Sequence, residues 1–242
     1  MTRLLVTGDW HLCMRNFSSC ETVVDQTVRL LKRHAPCHFL HLGDIVGDRG
    51  PSNPQDVRCT NALIEFVAEI KKVSESFVFI RGNHDMIAGP DGVPSCCPLL
   101  RQCGVDHIAD DGFLCHRLLE ETSSDVADTL RARIWAVPYF RDPIRQRKEF
   151  ADALRLRKSR GLPKSVDILA FHNEIKGCER NAASKGEGLT LDDIGAAEYD
   201  LCLGGHIHRP QFMIPNVHFV GSPMSSDWGD VNTCKRFLLI EI

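Results

Sequence analysis

The sequence predicts an α/β layered fold, and three observations predict it. Short, nearly continuous apolar runs recur along the 242 residues, the pattern of strands covered on both faces. Helical apolar stripes fall between them, and alternating strands and helices build layers. Five short polar motifs follow or end such runs, where α/β sheets place ligands beyond the carboxyl ends of their strands.

The first run, 4–7, leads into Gly8-Asp9-Trp10-His11. A helix is predicted over 21–33, with Val24, Val28 and Leu31 on one face. The run 37–42 ends at Gly43-Asp44, and a second helix over 55–73 aligns Ala62, Phe66 and Ile70. The run 77–81 opens into Gly82-Asn83-His84-Asp85. The run 134–137 precedes a third helix over 143–160, carrying Ile144, Phe150, Ala151 and Leu154. The run 168–171 ends at His172, and 201–203 leads into Gly205-His206-Ile207-His208. Runs 217–220 and 237–242 complete the set. The Gly/Pro-rich stretches 47–54 and 88–98 follow two of the motifs and are expected to rim a site; 122–128 reads as a surface turn. No repeat or linker stands out, so one domain over 1–242 is expected.

Hydrophobic content of 43% and charged content of 25% describe a globular chain with a sizeable core. No apolar run approaches the ~20 residues of a membrane span. Met1-Thr2-Arg3 leads straight into a strand, so no signal peptide is expected. The eleven Cys show no repeated spacing and no Cys-x-x-Cys. That favours a reducing, cytoplasmic setting with thiols acting as small buried hydrophobes. A net charge of −3 gives no global pull toward nucleic acid, although bound cations add positive charge that this count omits.

Oxygen and imidazole donors at several strand ends suit two divalent cations held close together. In extended backbone, residues two apart point the same way, so Asp9 with His11, and His206 with His208, can each aim at one cation. Asp44 is the candidate bridge, and Gly43 permits the tight turn before it. Asn83 offers a neutral amide oxygen. His84 is expected to face substrate, with Asp85 orienting its ring. His172 supplies a ligand that the second cation otherwise lacks. Asp48 with Arg49 reads as a loop ion pair, and Glu174 and Lys176 as surface residues. His34, His38, His41, His107, His116 and His218 show no partner pattern and read as structural or exposed. Two divalent cations against two carboxylates and a bridging hydroxide leave one positive charge, which suits a phosphodiester monoanion.

These motifs resemble the calcineurin-like metallophosphoesterase superfamily, whose blocks D-x-H, G-D, G-N-H-D, H and G-H-x-H all occur here in order. Within it the chain is most similar to the SbcD/Mre11 branch of DNA repair nucleases. Asp9-Trp10-His11-Leu12, Val137-Pro138-Tyr139, Gly205-His206-Ile207-His208-Arg209-Pro210-Gln211 and Gly221-Ser222-Pro223 carry that similarity. The resemblance implies an αββα sandwich of two mixed sheets flanked by helices. It implies one cation on Asp9, His11, Asp44 and His208, and another on Asp44, Asn83, His172 and His206. It places His84 near the leaving group and favours manganese, with magnesium, iron, zinc or nickel as alternatives. Cys13 stands where that branch often has Gly, and the loop after Asp44 differs. The branch's DNA-capping domain and its helices for an SbcC/Rad50-type ATPase have no counterpart in the 242 residues. The resulting expectation is a bacterial or phage-encoded DNA nuclease using a metal-bridging hydroxide, with a dimer as its oligomeric form. A small-molecule phosphoesterase acting on cyclic nucleotides or nucleotide-linked metabolites is the rival reading; a non-catalytic scaffold is the second. The segment 141–164 holds nine basic and three acidic residues. Its Arg155, Arg157 and Lys158 are expected to contact the DNA backbone.

Overall fold

The computed structural model describes residues 1–47, 56–86, 95–120, 129–159, 165–181, 184–225 and 233–242. In chain order the elements are β1 (Arg3–Thr7), α1 (Phe17–Arg33), β2 (His38–His41), α2 (Val57–Lys71), β3 (Phe77–Ile80), α3 (Cys97–Gln102), β4 (His107–Ala109), β5 (Leu114–Glu120), β6 (Thr129–Val137), α4 (Pro143–Ser159), β7 (Val166–His172), β8 (Glu179–Asn181), β9 (Ser184–Lys185), β10 (Leu201–Gly205), β11 (Gln211–Ile214), β12 (Val217–Phe219) and β13 (Leu238–Glu241). One sheet runs β13-β1-β2-β3-β4 and the other β11-β12-β10-β7-β6-β5. In the first, β1 to β4 are parallel and β13 is antiparallel to β1. In the second, β6, β7, β10 and β12 are parallel, with antiparallel β5 and β11 at the edges.

Alternation along the strands sorts the apolar residues into three layers. Leu4, Val6, Leu40, Leu42, Val78 and Ile80 face inward and meet Ile134, Ile168, Ala170 and Leu203 of the other sheet. Leu5, Phe39, Phe77 and Phe79 point outward and are covered by Val24 and Leu31 of α1 and Leu63 and Val67 of α2. Trp135, Leu169 and Phe171 point outward from the second sheet against Phe150 and Ala153 of α4. The chain therefore forms the αββα sandwich. Each fully buried Leu or Phe in these layers stabilises it by roughly 1.5–3 kcal/mol.

Parallel pairing has one consequence for function. The carboxyl ends of β1, β2 and β3 lie side by side, as do those of β7 and β10. Gly205 lets the two rows approach, because a Cβ there would collide with the Leu42 carbonyl oxygen. His172 crosses the same gap, its Nδ1–H donating to Leu42 O at 2.7 Å.

All eleven thiols are free, and eight of them are buried. Among the described residues no helix is long and apolar enough to cross a membrane. Asp48 and Arg49, residues 48–54 and 88–94 of the expected rims, the turn at 122–128, and Arg160 and Lys164 lie outside the described residues.

Candidate metal centre

Four residues other than glycine adopt a positive φ among the described residues: Asp9 (55°), His11 (48°), Asp44 (53°) and His206 (75°). All four are predicted ligands. A left-handed conformation costs about 1–2 kcal/mol for such residues and persists only where the surroundings enforce it. Here the enforcement is visible. Asp9 N–H donates to Gly43 O at 2.9 Å, and His11 N–H to Asp44 O at 2.9 Å. His206 N–H donates to Asp9 Oδ1 at 2.9 Å, and the Ser222 hydroxyl to Asp9 O at 3.1 Å.

The ligand atoms converge in two groups. Asp9, His11 and His208 form one, and Asp44, His172 and His206 the other, with atoms within 4.8 Å of one another in each. Asn83 joins the second: its Oδ1 lies 3.1 Å from His172 Nε2 and 2.9 Å from His206 Nδ1. Asp44 Oδ2 stands 3.2 Å from His172 Nε2 and 3.8 Å from His11 Nε2, between the groups. His11 Nε2 and His208 Nε2 face each other at 2.9 Å. Asp9 Oδ2 is buried with no hydrogen-bond partner. An orphaned buried carboxylate oxygen beside a pair of opposed imidazole nitrogens is a donor set that fits a divalent cation.

For His11 and His206 the electrostatics agree. Burial pushes Asp9 up to about 6, and pushes His11 and His206 down to about 3. Burial alone would also lower His172 and raise Asp44. Their mutual attraction and hydrogen bond outweigh it, holding His172 up at about 9 and Asp44 below the usual carboxylate range. The imidazoles of His11 and His206 are thus neutral and ready to ligate at neutral pH.

A family model for calcineurin-like phosphoesterases matches residues 2–210. The chain belongs to that family. It is 24% identical over 245 residues to the putative phosphoesterase 078R of Invertebrate iridescent virus 3, covering 98% of this chain and 62% of that one. It is 22% identical to the putative phosphoesterase 244L of Invertebrate iridescent virus 6, covering 98% of this chain and 76% of the relative. The chain thus spans about three fifths of the length of the first of these relatives. Phosphopantetheinyl hydrolase of Mycobacterium tuberculosis shares the fold at a TM-score of 0.53 and 15% identity, over 92% of this chain and 90% of that one.

Within this calcineurin-like site, His84 stands exposed at the rim, its ring 4.7 Å from that of His11. It also offers a ring nitrogen within 4.8 Å of ligand atoms of His11 and Asp44, so geometry admits it as a further donor. Its backbone N–H donates to Asp44 Oδ1 at 2.7 Å.

Asp85 departs from expectation. It does not orient the His84 ring. Its buried carboxylate turns inward and accepts from the N–H groups of Asp44 (2.7 Å), Gly82 (2.7 Å), Ile45 (3.0 Å) and Val46 (3.4 Å). The backbone at 44–46 turns too sharply to satisfy its own donors, and a carboxylate is a compact acceptor for several at once. Asp85 therefore clamps the turn that presents Asp44. Burial and the Asp44 charge push it up to about 6.

The cations expected to meet DNA form ion pairs within the chain. Arg155 pairs with Asp152 at 2.6 Å, Lys158 with Glu198 at 2.8 Å and Arg157 with Asp167 at 3.0 Å. Asp167 is buried and also binds Arg133 and the Trp135 indole N–H, so Arg157 anchors α4 to the sheet. These three cations are engaged within the chain. The basic residues beside the ligands are others: a cavity of about 420 Å³ next to His206 is lined by Arg141, Arg147 and Arg180. Sequence reasoning gave no weight to Asn16, whose amide donates to His11 O at 2.9 Å. It carried no signal beyond its nearness to the first motif.

Proposed function

We propose that the chain is a metal-dependent phosphodiester hydrolase acting on DNA in the manner of the SbcD/Mre11 branch. One observation supports the hydrolase reading above all: Asp9, His11, Asp44, Asn83, His172, His206 and His208 gather from five strand ends, with Asp44 between two donor groups. Two divalent cations there, manganese in the first instance, would stabilise phosphate charge and acidify a water. The chain's own residues do the rest. The bond from His172 to Leu42 O fixes the ring orientation that turns Nε2 toward Asp44. Asp85 holds the Asp44 turn. Exposed His84 delivers a proton to the leaving oxygen. Cys13 lies buried against Asn16, its thiol 3.4 Å from Asn16 Oδ1, so water and not a thiolate attacks phosphorus.

The DNA substrate is supported by the motif resemblance around Val137-Pro138-Tyr139 and His208-Arg209-Pro210-Gln211. DNA, a second copy of the chain and an SbcC/Rad50-type ATPase are the partners this reading proposes. The small-molecule reading draws on the cavity beside His206, whose volume suits a small ligand. Hydrolysis of single-stranded DNA, duplex DNA, a cyclic nucleotide and an aryl phosphodiester should be compared with manganese. DNA and the aryl diester are expected to be cleaved, and the cyclic nucleotide far more slowly. A cyclic nucleotide turned over faster than DNA would favour the small-molecule reading. Failure on all four would end the hydrolase reading.

A further inference from the structure

The cavity beside His206 has unequal walls. On one side Arg180 is paired with Glu174, with Glu187 close by. On the other, Arg147 pairs with Asp193 at 3.1 Å. Arg141 alone among the three lining arginines has no carboxylate partner among the described residues. Asn173, 91% buried on the same lining, has an amide nitrogen with no hydrogen-bond partner. The Tyr139 ring lies nearly parallel to that of His206, 6.4 Å away, and joins this wall to the metal ligands.

The wall that carries Arg141 is rigid. Arg81 donates to Tyr139 O at 2.6 Å, and Tyr139 N–H donates to Arg81 O at 2.9 Å. Gln146 accepts from Phe140 N–H at 2.6 Å and donates to Pro138 O at 3.1 Å. Phe140 is capped by the Arg145 guanidinium at 4.1 Å. Arg81 immediately precedes Gly82-Asn83, so the wall is tied to a ligand-bearing turn. An unpaired guanidinium carried by a hydrogen-bonded wall next to a phosphate-reacting centre is suited to a second anionic oxygen cluster on the same substrate.

We propose that Arg141, with the Asn173 amide, forms a subsite for the phosphate flanking the scissile one. This rests on the phosphodiesterase reading and makes it more specific: the preferred substrate carries at least two phosphates, as a nucleic acid strand does. Arg141 is then a specificity-determining residue.

The test uses the full chain with manganese and four substrates. A thymidine trinucleotide carries a flanking phosphate, whereas a thymidine dinucleotide and bis(4-nitrophenyl) phosphate carry none. A nucleoside diphosphate sugar presents its second phosphate in a small molecule. Wild type should prefer the trinucleotide to the dinucleotide by kcat/KM. Arg141→Ala should raise KM for the trinucleotide roughly 10- to 100-fold with little loss of kcat, and remove that preference. The shift for bis(4-nitrophenyl) phosphate should stay under about threefold. Arg141→Lys should recover only part, since it keeps charge without the fork. Binding of thymidine 3′,5′-bisphosphate, followed by calorimetry, gives a readout independent of turnover. Equal effects of Arg141→Ala on every substrate, or no wild-type preference for the trinucleotide, overturn the subsite. If the nucleoside diphosphate sugar alone shows the Arg141 dependence, the flanking phosphate is not that of a nucleic acid. Arg141-dependent bisphosphate binding with no diester hydrolysed would sink the hydrolase reading and leave the subsite standing.

Discussion

Two histidine clusters occupy opposite ends of the same strands, and β2 contributes to both. At its start, His38 Nδ1 meets Ser76 Oγ at 2.8 Å, and Ser76 Oγ lies 3.4 Å from His116 Nε2. The rings of His116 and His107 pack 4.0 Å apart. At its end, His41 leads through Gly43 to Asp44 and the metal centre. The first cluster uses ordinary backbone, holds no carboxylate among its paired nitrogens and contributes to no donor group. The second has four residues in left-handed conformations and a carboxylate in each donor group. Histidine number therefore does not mark a metal site. Carboxylates held by strained turns that other residues enforce do mark it.

The sharpest way to break this contrast is Asp44. Asp44→Ala removes the shared carboxylate, so metal content and aryl diester turnover should both fall, turnover by at least roughly 10³-fold. Metal analysis after gel filtration with manganese checks the first part. Two retained cations per chain would show that the centre does not depend on Asp44.

Asp85 comes next. Asp85→Ala leaves four backbone N–H groups without their acceptor, and unfolding free energy should drop by at least about 3 kcal/mol. Manganese affinity should weaken by about 10- to 100-fold, the usual effect of losing a residue that supports a ligand. Asp85→Asn should recover part of the stability. Urea unfolding without metal separates the two effects. Unchanged stability in Asp85→Ala would mean that the turn holds itself.

His84→Ala should keep both cations and lose turnover by roughly 10²–10⁴-fold. Loss of metal along with turnover would make His84 a ligand, which its distance to His11 and Asp44 allows.

The motifs were legible because ligand chemistry is local: Asp9-x-His11, Gly43-Asp44 and His206-x-His208 each sit in one turn. The eight expected apolar runs match β1, β2, β3, β6, β7, β10, β12 and β13. Of the four edge strands of the two large sheets, β13 was legible, whereas β4, β5 and β11 were not. β5 and β11 have one neighbour each, so His116, Arg117 and Gln211 interrupt any apolar run. Helix α1 starts at Phe17, four residues before the predicted start at 21, behind a 3₁₀ turn at Met14–Asn16. Asp85 was assigned to the wrong neighbour because its partners are backbone amides, three of them 39–41 residues away, and amides carry no sequence signal. The ion pairs of Arg157 and Lys158 were not legible, because their acidic partners, Asp167 and Glu198, lie on other elements.

The smallest expected effect belongs to the other histidine cluster. Burial pushes His116 down to about 4, helped by the neighbouring His107 and His38 and opposed by Asp106. Burial also lowers His38 and His107. Asp106 is itself paired with Lys71 and accepts from Phe77 N–H, so it is not free to charge the cluster. The sign follows from linkage. The unfolded imidazole binds protons below about 6.5, while the folded one resists them until about pH 4. Stability from this group is therefore complete above about 6.5 and lost as pH falls toward 4. The loss should be only about 1 kcal/mol, because the ring is half-buried and partly screened. His116→Gln should flatten the acid limb of the stability curve by that amount, read as the difference in urea midpoint between pH 7 and pH 5. Hydrolysis of the aryl diester at pH 7 should stay within about twofold, since the cluster lies at the far end of the strands. Loss of bound manganese in His116→Gln would break the comparison, because it would tie the two ends together.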